Sequence, residues 1–267
     1  MKCPPRTSPA IMLAALGALL MATAQAKADV NTIRSSNNVI WGAAGANQFA
    51  YKETVPAPDL PDSERDWIPS LAAGASVMGP SGLYLALEGA YSFGNAHYNG
   101  AYFASPTTPL QGTTQEKIWD ADGKIGKGLA LGSGAMLTPY VELGVRYWGR
   151  HLGPGQTEDY RNFDALGGTM LQVSPTNRLV LSAYGSGGTT FSPRMRTGGT
   201  TYHLGAAGIY KIGGKIGYDV TQRLELFTTL DYEHFSYGQS AVINSTYEPN
   251  STTNDTSVRI GLAYHFK

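Results

Sequence analysis

Two short stretches concentrate groups that could move a proton. "WDADG" sets Asp120 and Asp122 two residues apart, and "DYEHF" brings Asp231, Glu233 and His234 together. Carboxylates beside an imidazole can activate a water by general acid–base chemistry. Alternation along an extended strand decides whether they can cooperate. Asp120 and Asp122 share one face, as do Asp231 and Glu233, while His234 points to the other, where it reads as an interfacial residue. The histidines at 97, 151, 203, 234 and 265 form no i, i+4 pair, and no cysteine joins them, so no metal site and no cofactor are expected. Neither a G-x-S-x-G elbow nor a phosphate-binding loop occurs. Asn244, Asn250 and Asn254 open N-x-S/T sequons and read as polar turn residues.

Bulk composition narrows the classes. Lys+Arg and Asp+Glu each total 20, so formal charge is zero and nothing suggests a nucleic-acid partner. Gly at 33 and Tyr at 16, twice the Phe count of 8, suit a closely packed β-sheet. Lys2 and Arg6 precede the apolar run Ile11 to Ala22, and Ala24 to Ala26 supply small residues for a peptidase. Residues 1–26 are therefore expected to be a cleaved signal peptide, with cleavage after Ala28 the alternative, and 27–267 a single domain. Cys3 lies ahead of the apolar run, so the mature chain has no disulfide.

The elements that must carry these charges alternate with period two. From Tyr202 to Val220, ten even positions in a row are apolar or glycine, while Lys211, Lys215 and Asp219 lie on the odd face. Strands of soluble sandwiches usually run about five or six residues, whereas a tilted membrane strand that protrudes past the bilayer reaches this length. "LYLALEGAYSF" sets Leu85, Leu87 and Tyr91 against Glu88. "WDADGKIGKGLAL" sets Trp119, Ile125 and Leu129 against Asp120, Asp122 and Lys124. "PYVELGVRYW" sets Val141, Leu143 and Val145 against Glu142 and Arg146, and "LELFTTLDYEHF" sets Leu226, Leu230 and Tyr232 against Glu225, Asp231 and Glu233. Weaker patterns cover 39–52, 67–78, 160–173 and 179–186, and the terminal "VRIGLAYHFK" is the last strand. These make ten, with eight or twelve compatible because the first two are weakly patterned.

Connections fall into two classes. Residues 79–82, 132–135, 174–177 and 221–222 are short turns, whereas 54–65, 94–115, 149–159, 187–200 and 238–256 read as long polar loops. Aromatic residues cluster near both strand ends: Trp67, Tyr91, Phe93, Trp119, Tyr147 and Tyr202 at the long-loop side, Tyr218, Tyr264 and Phe266 at the other. The pattern predicts an all-β, antiparallel, up-and-down transmembrane barrel with both termini at the short-turn end. Its lumen is then lined by Glu88, Asp120, Asp122, Lys124, Glu142, Arg146, Asp164, Lys211, Lys215, Asp219, Glu225, Asp231, Glu233 and Arg259. A lumen of about ten strands is largely filled by side chains, so these charges are expected to pair and to close it. Glu88, Asp122, Arg146, Lys211, Asp231 and Arg259 are expected in one mid-height layer.

The last strand carries a family resemblance. Arg259, Gly261, Tyr264 and Phe266 fill the polar, Gly, apolar and aromatic slots by which outer-membrane barrels of Gram-negative bacteria are recognised for assembly, with Lys267 following the usual terminal aromatic. The chain resembles the small porin-like and opacity-type members of that group. The resemblance implies an outer-membrane location, contact with its lipids, periplasmic chaperones and the barrel assembly machinery, and a monomer. Ten strands also resemble the omptin proteases, which use an aspartate pair facing an Asp-x-His pair on the rim. Here 94–115 contains no aspartate and 187–200 neither aspartate nor histidine. A non-enzymatic structural or surface-interaction protein is therefore expected, with a surface hydrolase of peptides or lipid A, or a narrow solute channel, as the alternatives.

Overall fold

The computed structural model describes residues 29–102, 105–153 and 156–266; the expected signal peptide and Lys267 lie outside them. A short helix α1 (Val30–Ser36) is followed by β1 (Val39–Thr54), β2 (Ser63–Met78), β3 (Leu83–Tyr102), β4 (Ser105–Lys127), β5 (Leu129–Ala130), β6 (Ala135–Gly153), β7 (Gln156–Thr176), β8 (Leu179–Thr197), β9 (Thr200–His203), β10 (Gly208–Asp219), β11 (Leu224–Tyr237) and β12 (Asn250–His265). Ten long strands pair antiparallel with their neighbours, and β10 bonds to both β8 and β11. Closure comes from β12 against β1, in register from Val39↔His265 to Thr54↔Asn250. Among the described residues no barrel strand is left with an open edge, which is how a sheet satisfies its backbone in lipid. The two short strands, β5 and β9, pair with β6 and β8.

The pleat sends alternate residues to opposite faces, and the two faces have exchanged their usual roles. Leu87, Leu143 and Ile260 point outward at 67%, 65% and 63% exposure, while Glu142 and Arg146 are 2% and 3% exposed inside. A soluble sandwich would bury the first set and solvate the second. Ile212 belongs to the outward set and pairs with Tyr232 and Gly185. Ile212→Arg should therefore cost about 2–4 kcal/mol in unfolding titrations of the lipid-inserted chain, because a charge is forced against hydrocarbon. A cost near zero would place that face in water.

All ten expected strands form, but four expectations about connections and pattern change. The stretches 94–115, 149–159 and 187–200 are mostly paired strand, since β3 and β4 run to Tyr102 and from Ser105, β6 and β7 to Gly153 and from Gln156, and β8 to Thr197. Their polar residues alternate across protruding hairpins, and polarity alone made them read as loops. The stretch 202–220 is not one strand. Tyr202 and Leu204 turn inward at 7% exposure each, and the inward set resumes at Ile209 on the odd parity. The phase changes at the break between β9 and β10, where Gly205 and Gly238 bridge backbone to backbone. A Cβ on Gly205 would lie 2.9 Å from the Gly238 Cα, so this crossing requires glycine. Tyr202 accordingly leaves the expected outer girdle and joins the interior.

Helix α1 was not legible in the sequence, because "VNTIRSS" is short and offers only two apolar residues, Val30 and Ile33. Asp29 caps it, accepting from Asn31 N at 3.1 Å. Ile33, fully buried, packs with Met78, Tyr84, Met136, Tyr140 and Met170 at the short-turn end of the barrel. Asn37 Nδ2 then donates to Gln172 Oε1 at 2.7 Å, tying the helix exit to the inner wall.

Candidate functional site

The inward face of β3, β4, β6, β10, β11 and β12 brings many of the predicted charges into one connected network around Lys211, Arg146 and Lys124, with Lys215–Glu225 and Arg259–Asp231 as separate pairs. Lys211 Nζ lies 2.8 Å from Glu142, 3.1 Å from Asp122 and 3.7 Å from Glu233. Arg146 reaches Asp120 at 3.1 Å, Glu233 at 3.3 Å and Asp255 at 2.5 Å. Lys124 pairs with Glu88 and lies 3.8 Å from Glu142. Lys215 meets Glu225 at 2.6 Å, and Arg259 meets Asp231 at 3.5 Å while its Nε donates to Ser70 at 3.0 Å. Asp164 accepts from Asn162 Nδ2 at 2.6 Å.

The six charges expected at mid-height, Glu88, Asp122, Arg146, Lys211, Asp231 and Arg259, all line one cavity, but they do not pair only among themselves. Asp122 does meet Lys211 and Asp231 meets Arg259, but Arg146 bonds to Asp120, Glu233 and Asp255, and Glu88 to Lys124. Tilted, staggered strands bring residues of unequal turn count to one height, so partners come from adjacent levels. Asp255 escaped the sequence reading because it fell within a stretch taken as loop. Neither Asp120 nor Asp122 has a histidine among its hydrogen-bond partners in the described residues, and His234 faces outward, stacked on Tyr210 at 4.8 Å.

Above this network aromatic rings pack together inside the barrel. Trp148 stacks on Tyr160 at 4.5 Å and tilts against Tyr51 at 4.8 Å and Phe49 at 5.1 Å, and Tyr160 stacks on Tyr237 at 5.8 Å. Embedded among them, Arg150 lies 2.8 Å from Glu158, 3.5 Å from Glu64 and 3.8 Å from both Glu53 and Asp62. Trp148 Nε1 donates to Glu116 at 2.6 Å, and Tyr160 donates to Glu248 at 2.5 Å. Burial pushes the Glu248 carboxyl, in the loop before β12, up to about 8, and also raises Asp62 in the loop before β2. Sequence reasoning missed this second cluster. Arg150, Glu158 and Glu248 lay within stretches read as loops, and Glu53 lay just past the expected end of the first strand.

Between α1 below and the rings above, a cavity of about 250 Å³ remains, lined by Ser36, Glu88, Asp122, Lys124, Lys211 and Arg259 among others. At the short-turn end, Asp219, Glu225 and His265 offer three ligand atoms within 4.8 Å of one another, a grouping the scattered histidine spacing had not suggested. Lys215 already neutralises Glu225, and His265 is held between Asp219 at 3.0 Å and the Ser35 carbonyl at 3.0 Å, so these groups lock β10 and β12 to α1.

Outside, Tyr91 stacks on Phe93 at 5.4 Å and Trp119 on Tyr147 at 5.9 Å, forming the upper aromatic belt. Tyr218, Tyr264 and Phe266 are 46%, 46% and 42% exposed at the other end. Of the residues in the terminal pattern, Arg259 joins the lumen network. Gly261 has a packing reason of its own, since a Cβ there would lie 2.4 Å from the Phe227 ring and 2.5 Å from the Gly42 carbonyl. Charged residues face in, apolar residues face out between two aromatic belts, and the sheet closes on ten strands.

The fold is that of an outer-membrane β-barrel. The outer membrane protease OmpT from Escherichia coli shares it, with a TM-score of 0.59 and 12% identity over 86% of this chain and 98% of that one. Weaker likenesses are the beta domain of the Bordetella autotransporter BrkA, at a TM-score of 0.43, 14% identity, 85% of this chain and 99% of that one, and Neisserial surface protein A, at 0.35, 11%, 85% and 97%. No protein-family model and no curated protein matches the sequence.

Proposed function

We propose that this chain is an outer-membrane β-barrel whose lumen is closed to solutes, with a structural or surface-interaction role rather than a catalytic one. The observation that supports the reading is the packing of side chains inside the barrel. Stacked rings occupy its upper part, α1 its lower mouth, and paired charges the space between, around a cavity of about 250 Å³. Buried charges persist when paired, and the lumen carboxylates nearest the middle are held by lysine or arginine rather than poised beside a base. Those carboxylates, Asp120 and Asp122 included, serve cohesion in this account.

The reading places the chain in the outer membrane of a Gram-negative bacterium, as a monomer bathed in that membrane's lipids and delivered by periplasmic chaperones to the barrel assembly machinery. Tyr264 and Phe266 would be read by that machinery, with Arg259 and Gly261 setting their spacing. Membrane fractionation with heat-modifiable electrophoresis tests both points. The wild type should fractionate with outer membranes and migrate faster unheated than heated. Phe266→Ala should lose most of the fast-migrating form, because its exposed ring makes little contact inside the barrel and its loss acts on assembly. A wild type found in the soluble fraction would overturn the reading, and equal folded fractions in Phe266→Ala would remove the assembly role.

A further inference from the structure

We infer that the outward face of the β7–β8 hairpin binds one phosphorylated, acylated lipid of the outer leaflet. Arg161, Arg194 and Arg196 point outward there, alternating with the buried Tyr160, Asn162 and Met195. Arg161 pairs on one side with Tyr147 of the upper aromatic belt and on the other with Arg194, so two arginines stand directly opposite each other. Like charges in that position repel unless an anion lies between them. Arg196 stands opposite Asp159, but Asp159 accepts the Tyr147 hydroxyl, and the other neighbour of Arg194 is His203. None of the three arginines forms an ion pair among the described residues. The Arg161 guanidinium lies 5.2 Å from the Phe163 ring, with its Nε shielded from solvent and without an acceptor. Phosphate oxygens suit such a cluster, because arginine binds them through paired N–H donors.

An independent observation supplies the rest of the ligand. Below the arginines Phe163 stacks on Phe191 at 5.6 Å, and further down the outward face loses its side chains. Gly167 stands opposite Gly187, and Thr169 opposite Gly185. Neither backbone nor packing requires glycine at 167 or 187. Both lie outside the left-handed region; a Cβ on Gly167 would meet nothing within 4 Å, and one on Gly187 only the Ile209 carbonyl at 3.9 Å. Strand glycines of this kind mark the close approach of a ligand or another chain. The flanking strands are not bare. Val141 stands beside Gly167 and Tyr210 beside Gly187, with Leu143 and Ile212 next to them, all at 41–65% exposure. A shallow lipid-facing trough thus runs between apolar walls with cations at its head. An acyl chain fills the trough while its headgroup phosphate bridges Arg161 and Arg194. A second copy of the chain, related by an axis along the membrane normal, would set these arginines against their own counterparts, so the charge favours lipid. The inference rests on the outer-membrane reading proposed above, which sets this end of the barrel in the outer leaflet.

The test uses the full chain folded in detergent, with native mass spectrometry comparing bis-phosphorylated lipid A and the same lipid stripped of phosphate. The wild type should retain one lipid A and bind the dephosphorylated form more than about tenfold more weakly. Arg161→Gln/Arg194→Gln should lose lipid A to a similar degree. Gly167→Leu, which the open space around Gly167 allows to fold, should weaken binding of both forms by occupying the trough. Lys52→Gln, which removes an exposed base on β1, should bind as the wild type does. Each variant is first shown folded by its heat-modifiable mobility. Equal binding of the two lipid forms, an undiminished signal in the arginine double variant, or an equal loss in Lys52→Gln would overturn the site. So would displacement of the lipid by equimolar inorganic phosphate, or a wild-type dimer that Gly167→Leu dissociates while lipid binding persists. A folded barrel that fails these comparisons loses the lipid site but keeps its outer-membrane reading, which fractionation tests separately.

Discussion

Arg146→Met should destabilise the barrel by about 3–5 kcal/mol, because it removes the cation from a buried pair network and leaves the acids behind. Arg146 is 3% exposed and neutralises Asp120, Glu233 and Asp255, which come from β4, β11 and β12. Its guanidinium also lies 4.8 Å from the Phe235 ring, so the network and the aromatic layer meet at this side chain. Adding Asp255→Asn to Arg146→Met should recover part of the loss, since a buried negative charge disappears with its partner. Denaturant unfolding of the lipid-inserted chain, followed by circular dichroism, measures both. A cost within about 0.5 kcal/mol for Arg146→Met would mean that water, rather than Arg146, solvates these carboxylates.

Trp148→Ala should cost a similar amount, about 3–5 kcal/mol, by a different mechanism. Trp148 is 1% exposed and touches Phe49, Tyr51 and Tyr160, so truncation opens a large hole in the ring layer. It also deprives Glu116 of the indole N–H at 2.6 Å. Trp148→Phe separates the terms: most packing survives, and the remaining loss of about 1–3 kcal/mol reflects the buried carboxylate left without its donor. Equal destabilisation by Phe and Ala would assign the whole effect to the hydrogen bond. A small effect of both would show that this layer is loosely packed.

The architecture was legible because membrane barrels invert a simple rule. Along Leu83 to Phe93 or Val258 to Phe266 the apolar parity never changes, and one uninterrupted parity is enough to assign lipid and lumen. The same parity rule gives inward charges on other strands too, including Glu142 on β6, which pairs with Lys211, while Arg259 on β12 pairs with Asp231. What stayed hidden depends on breaks in the pattern or on height. Tyr202 and Leu204 keep even parity but turn inward, because the chain changes phase before Ile209. Arg150 and Glu158 lie on strands that continue above the membrane, where both faces become polar and alternation loses its contrast. Pairing across the lumen depends on strand stagger, which no single strand encodes. Arg146 faces inward at 3% exposure, while its bond to Asp255 was not foreseen.

In the proposed role, ring packing, α1 and ion pairs leave no continuous path through the barrel. Planar-bilayer recording of the purified, folded wild type tests it directly. A silent membrane at moderate voltage is expected, with the folded barrel verified in the same bilayer preparation by protease protection. Discrete openings of a reproducible unit size would contradict it and make the charged lumen a conduction pathway.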